Sequence, residues 1–520
     1  MIRKGFLLAA YAAFALAQTT RQDGAALEER AERLFEAQNW AAAATAADAA
    51  LQADSNSVNA RLILGLIATR EGKHATASRQ FERAAALHPK DPRITGYLAS
   101  SYLQEGRVRE AEPLFRRLLA VDPANRAAHF NLGLLLLQRG EAGEAERQFQ
   151  FIARAEPSDI GAAAGILECR LMQKNPAGAT ASARQINQRL LPSDPERLRI
   201  ASLLTKYKSW ELAIQILEPI PVEASYGPES RYDLALAHFR AGRPETAARV
   251  LAGTPRLLEQ ADAQHLLGDI EEKLGHLQPA RQALDQSVTL DPQNEDIRFD
   301  WAVFQLEHDT SVSAVAAFQA GVNTFPGSWR MQLGLGEAQY LAGNADQAAG
   351  TLLELVRKQP GVVLAYPLLG SLYDQAPAEQ DRIYAALDSY VKTAAGDART
   401  YTAFAKILNR RAATAGKSAT RAVMLLQRAL TLDPGLVETY LELAAIENGR
   451  RQFQESRRLL EKAVTVSPAA PEPHYHLARL YQKLGLERKA AIESETFQEL
   501  RRQAASAQAT LAVDLKKQPQ

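Results

Sequence analysis

Five times along this chain two helix-ending prolines stand 34 residues apart: Pro89 to Pro123, Pro123 to Pro157, Pro292 to Pro326, Pro326 to Pro360, and Pro434 to Pro468. A fixed period of that length marks a repeat architecture, in which each unit is one supersecondary element too small to bury its own apolar face. Neighbouring units must supply that burial, so the chain is expected to be a stack. Stacks of this kind present surface rather than a closed pocket, which points to binding other proteins.

Residue types recur at fixed offsets inside the period. The stretch Val58 to Asp91 carries Leu64, Gly65, Gly72, Ala77, Phe81, Ala84 and Pro89; the stretch Arg126 to Asp159 carries Leu132, Gly133, Gly140, Ala145, Phe149, Ile152 and Pro157 at the same offsets. The leucine and the glycine after it lie on one face of a first helix, Gly72 or Gly140 ends that helix, and the later apolar residues repeat at intervals of three and four on a second. Each unit is therefore an antiparallel helix-turn-helix hairpin. A glycine at the eighth position lets the two helices cross closely, and the proline stops the second helix.

This pattern resembles the tetratricopeptide repeat, a 34-residue helix-turn-helix unit. Copies begin near Val58, Pro92, Arg126, Ala261, Glu295, Trp329, Val437 and Pro471, with a weaker one near Gly24. From 160 to 260 the pattern continues less regularly and several prolines leave the register. Units near Val363 and Ala398 contain insertions. The resemblance implies an all-α fold, an α-solenoid superhelix of about fourteen antiparallel hairpins. Its parts would be an N-terminal array over 18–260, degenerate from about 160, a C-terminal array over 261–504, and a polar tail over 505–520. One family feature is missing: the fourth repeat position, often tryptophan, holds Arg61, Thr95, His129, Arg298 and Tyr440.

The family lines its inner groove with the first helices, at repeat positions two, five, nine, twelve and thirteen. Carried over residue by residue, those positions give Leu62, Leu66, Arg70, Ser100, Gln104, Phe130, Leu134 and Leu137 early in the chain, an apolar stretch. Further on they give Asp262, His265, Asp269, Glu272, Asp296, Phe299, Glu307, Glu337 and Tyr340, an acidic stretch, and at the end Tyr475, Arg479 and Lys483. Each of these residues also fits a solvated helix face or a contact between helices. The lysine and asparagine with which some relatives clamp a terminal carboxylate are absent from the clear repeats, which disfavours that kind of tail as ligand.

Charge narrows the partner. Lys plus Arg number 61 against 60 Asp plus Glu, a formal net charge of +1, with no cationic stripe of the sort a phosphate backbone demands. A protein or peptide partner is expected, and nucleic acid is not. The wealth of arginine and alanine suggests a GC-rich bacterial genome.

Residues 1–17 read as a signal peptide: Arg3 and Lys4, an apolar run from Gly5 to Leu16 too short to span a bilayer, and Ala15-Leu16-Ala17 as a cleavage site. Export to the periplasm or beyond is the expectation, with no lipid anchor and no later membrane span. The single cysteine, Cys169, offers no disulfide framework and suits a small buried hydrophobe.

Apparent chemical motifs fail on their own spacing. Gly416-Lys417-Ser418 lacks the glycine five residues earlier that a phosphate loop needs, since Arg411 stands there. Gly334-Leu335-Gly336 lacks its third glycine, where Gln339 stands. His474 and His476 point about 200° apart on a helix. No cofactor, metal or catalytic group is expected. The favoured function is an adaptor outside the cytoplasm, in envelope biogenesis, secretion or polysaccharide export. The alternatives are a cytoplasmic regulator that keeps its first residues and an enzyme-associated repeat module.

Overall fold

The structure is a computed structural model that describes residues 24–190, 193–393, 396–415 and 419–506. The signal-like segment, the Gly416-Lys417-Ser418 sequence and tail residues 507–520 fall outside these; Ala505 and Ser506 end the Glu487–Ser506 helix. Among the described residues there is no strand, and the helices pair into fourteen antiparallel hairpins, as the repeat period predicts. No helix among them is long and apolar enough to cross a membrane.

The chain divides into two compact units, residues 1–250 and 251–520. In each, a hairpin packs against the next, so burial is local along the chain. Phe81, Phe115 and Phe149, all but fully buried, stand at one repeat position of the first unit, and Phe318 and Leu352 fill the same role in the second. Small residues receive them. A Cβ at Gly133 would come within 2.7 Å of the Phe149 ring, and one at Gly334 within 2.2 Å of Phe318.

Several first helices start on short polar caps: Ser57 accepts from the Ala60 amide at 3.2 Å, Asn125 from Ala128 at 2.9 Å, and Asp159 from Ala162 at 2.8 Å. In the first unit the turn between the two helices of each hairpin places one residue in the left-handed region. That residue is Gln38, Gly72, Gly106, Gly140, Lys174, Lys208 and Gly242, spaced by 34 without a break. The hairpin register thus runs straight through the stretch where the prolines lose it. Gln38, Lys174 and Lys208 hold φ of 58°, 53° and 54° at a conformation that glycine adopts with less strain.

The unusual fourth position has a structural task. His129 Nε2 lies 2.9 Å from the Pro123 carbonyl, Tyr440 Oη donates to Pro434 at 3.1 Å, and Gln332 donates to Pro326 at 2.9 Å. Arg298 and His474 meet Pro292 and Pro468 in the same way, six residues back. A polar side chain there ties the carbonyl of the helix-ending proline, which no helical N–H can reach, to the next first helix.

Cys169 is fully buried, and that burial, with the charges of Glu146 and Glu168, pushes its thiol up to about 12. No thiolate forms near neutral pH, so the residue packs and does not react.

Candidate functional site

In the first unit the expected apolar stripe is narrower than its sequence. Leu62 and Leu137 are buried in the hairpin core, and Leu66 is half-buried beside it. Phe130 is also half-buried: its ring stands edge-on to Phe149 with centroids 5.7 Å apart. Leu134 alone of the three on the Arg126–Gln138 helix is open to solvent, at 40% exposure. The cause is that positions five and twelve partly face the neighbouring hairpin, which packs there.

The acidic residues of the second unit fall into three groups. Asp262, His265, Asp269 and Glu272 lie on the Ala261–Lys273 helix, and Asp300, Glu307 and His308 on the Glu295–His308 helix. These two first helices are joined by two histidine–carboxylate pairs: His265 Nε2 to Asp300 Oδ2 at 3.1 Å and His308 Nε2 to Glu272 Oε1 at 2.8 Å. Asp296 stands apart, accepting from Arg330 at 2.6 Å, while that guanidinium also covers the Phe299 ring at 4.1 Å. Glu337 is only 3% exposed and Phe299 1%, so neither offers a surface to a ligand. Tyr340 is half-buried on the Trp329–Leu341 helix, with its Oη 3.5 Å from the Gln375 amide nitrogen.

The group that remains is the seven-residue face of the two first helices, in which two of the carboxylates each meet a histidine. Burial alone would lower the pKa of His265, but its hydrogen bond to Asp300 and the charges of Asp269, Asp300 and Asp262 outweigh that and hold it above its ordinary 6.5. A folded pKa raised above the unfolded one stabilises fully below about 6.5 and is lost as the pH rises through the folded value. The second unit is therefore expected to melt at a lower temperature at pH 8 than at pH 6, and His265→Gln should flatten that dependence. An unchanged slope in the variant would remove His265 as its source.

One atom each of Glu272, Glu307 and His308 lies within 4.8 Å of the others, a spacing that sequence could not show because the residues come from adjacent repeats. The imidazole already meets Glu272 there, and such spacing arises on exposed acidic faces without an ion.

At the other end of this unit a cavity of about 620 Å³ opens between the Val437–Gly449 and Pro471–Lys483 helices. Arg479 and Lys483 line it. Both are engaged: Arg479 donates to Tyr475 Oη at 3.3 Å and Lys483 to Asn448 at 3.2 Å. The expected basic end of the face is present, and its two cations are held by neutral hydrogen-bond partners.

Four stretches, 28–92, 98–160, 232–295 and 313–363, match the tetratricopeptide repeat family. The fold is an α-solenoid of such repeats, and repeats of this family serve as protein-interaction scaffolds. No curated protein compared with the chain matches it. Among solved structures it is similar to YrrB, described as a TPR protein with an unusual peptide-binding site, at 19% identity over 34% of this chain and 90% of that one, with a TM-score of 0.31. It is also similar to the APC/C hetero-tetramer Cut9-Hcn1, at 13% identity over 86% and 95%, TM-score 0.33. A tetratricopeptide repeat protein from Parabacteroides merdae ATCC 43184 is 18% identical over 55% and 99%, TM-score 0.33.

Proposed function

We propose that this protein is a non-enzymatic scaffold, exported from a bacterial cytoplasm, that holds a basic segment of another protein on the first-helix face of its second unit. The observation that carries the reading is the gathering of carboxylates, Asp262, Asp269, Glu272, Asp300 and Glu307, on the Ala261–Lys273 and Glu295–His308 helices, which two histidine–carboxylate hydrogen bonds join. A lysine- or arginine-rich segment would be steered there from solution by those carboxylates. Export rests on the charged start, short apolar run and Ala15-Leu16-Ala17 of the sequence; the settings it suits are envelope biogenesis, secretion and polysaccharide export.

The test uses a labelled lysine-rich peptide and the full chain. Asp269→Lys with Glu272→Lys should weaken binding roughly tenfold, about 1.4 kcal/mol, at low salt. Near physiological ionic strength the difference should shrink, because exposed charges are screened beyond about 8 Å. Equal affinity of a folded variant and the parent at low salt would overturn the site. Protein recovered from the cell envelope should begin at Gln18, and intact Met1 in a cytoplasmic pool would overturn export.

A further inference from the structure

A second cavity, in the first unit, lies along the hairpin turns, away from the first-helix face. It is an open hollow of about 600 Å³ that brings together the turn after the Ile160–Met172 helix and the turn after the Asp194–Lys206 helix. Leu171, Pro176, Ala179 and Leu212 give it an apolar lining, with Trp210 at the start of the Trp210–Leu217 helix. Lys174 and Lys208 complete it, one from each turn.

Those two lysines differ from the paired arginines at some other turns of this unit. In the cavity two repeats earlier, Arg107 pairs with Glu82 and Glu110, and Arg139 with Glu112 and Glu141. Lys174 and Lys208 are exposed, and among the described residues neither side chain has a hydrogen bond or ion pair. The one acid in the lining, Glu211, is taken by Arg243 at 2.7 Å. The cavity therefore carries two uncompensated positive charges over an apolar floor.

Residues with further donors border the same region. Ser209 makes no side-chain cap on the Trp210–Leu217 helix, whereas Asn175 caps its own helix through the Gly178 amide at 2.9 Å. The first-turn amides of the Trp210 helix are left without that partner. The indole N–H of Trp210 has no intramolecular hydrogen bond among the described residues. Both lysines also sit at the left-handed turn position that glycine fills in the turns at 72, 106, 140 and 242. Local stability favours glycine there, and lysine brings charge to the cavity rim.

We infer that this cavity is a second docking site, for a short acidic segment of another protein that lays one large apolar side chain on the Leu171, Pro176, Leu212 and Trp210 floor between carboxylates held by Lys174 and Lys208. The charge complementarity selects an acidic occupant, and the floor selects an apolar or aromatic side chain over a bare anion. The site shares no residue with the basic-segment face of the second unit.

The glycines of the sister turns supply the decisive variant. Lys174→Gly with Lys208→Gly removes both charges and eases the backbone at the same time, so it keeps or raises the melting temperature. Binding of a labelled hexapeptide, one phenylalanine between acidic residues, is followed by fluorescence anisotropy on the full chain. We expect saturable binding, at least tenfold weaker in the double glycine variant and at least tenfold weaker for the same peptide with each acid replaced by its amide. Lys174→Arg with Lys208→Arg should keep affinity within threefold. Equal affinity of the glycine variant and the parent overturns the proposal. So does tighter binding of the amide peptide, or of inorganic phosphate or an oligonucleotide that is lost in the same variant.

Discussion

Phe149→Ala is expected to destabilise the first unit by about 3 to 5 kcal/mol, the cost of removing a fully buried phenylalanine from a packed interior. The residue is 0% exposed, and its ring is held between two glycines from different hairpins. A Cβ on Gly133, in the first helix of its own hairpin, would lie 2.7 Å from Cζ; one on Gly165, in the first helix of the next, would lie 2.8 Å from Cδ1. Leu132, Leu135 and Leu136 complete the core on that side. Because the ring is shared, its loss weakens both a hairpin and the interface that stacks the next one on it. In a solenoid those are the two terms that hold a repeat in place. Urea denaturation should show the loss, and hydrogen exchange should localise it to the helices between residues 126 and 172 while the second unit keeps its protection. A change below 1 kcal/mol would mean that the stack collapses around the gap.

The fold was legible because its strongest constraints are short and periodic. Pro123, Pro157, Gly133 and Phe149 each act within one hairpin and its neighbour, so their spacing alone carries the architecture. The stretch from 160 to 242 read as irregular for a physical reason: the turn needs a left-handed backbone, and glycine is only the easiest residue to place there. Lys174 and Lys208 adopt it too, so the hairpins continue after the sequence signal has gone. The polar fourth position was visible as a departure from the family, but its purpose lies in a hydrogen bond to a proline carbonyl that spacing cannot show.

The candidate face was less legible, because facing a groove and facing a neighbouring helix look alike in one sequence. Asp262, Asp269 and Glu272 fall on an accessible surface together, whereas Glu337 at the corresponding place two repeats later is covered. Which outcome a position meets depends on the size of residues across the repeat interface. The histidine pairs escaped notice for a related reason: Glu272 and His308 are 36 residues apart and meet only when one repeat is stacked on the next.

Gly133→Leu should destabilise the first unit by about 1 to 3 kcal/mol, the usual cost of forcing extra methylenes into a filled core. The position has no slack, since the nearest atoms to a new Cβ belong to the Phe149 ring at 2.7 to 3.0 Å, and that ring is closed on its other side by Gly165. Gly435→Leu makes the contrast. That glycine sits in an exposed turn after Pro434, with Asp433 Oδ1 at 3.1 Å as the nearest atom to a Cβ, and its effect should stay within about 0.5 kcal/mol. Equal melting shifts for the two would contradict the packing. The cause is separable from general disruption by a double-mutant cycle. If the leucine is harmful only because the ring is there, Gly133→Leu made in a Phe149→Ala protein should cost little or restore part of the lost stability, a coupling of about 1 kcal/mol or more. Additive losses would show that leucine strains the helix crossing itself, and the fully buried ring would then be a bystander to the close approach of the two helices.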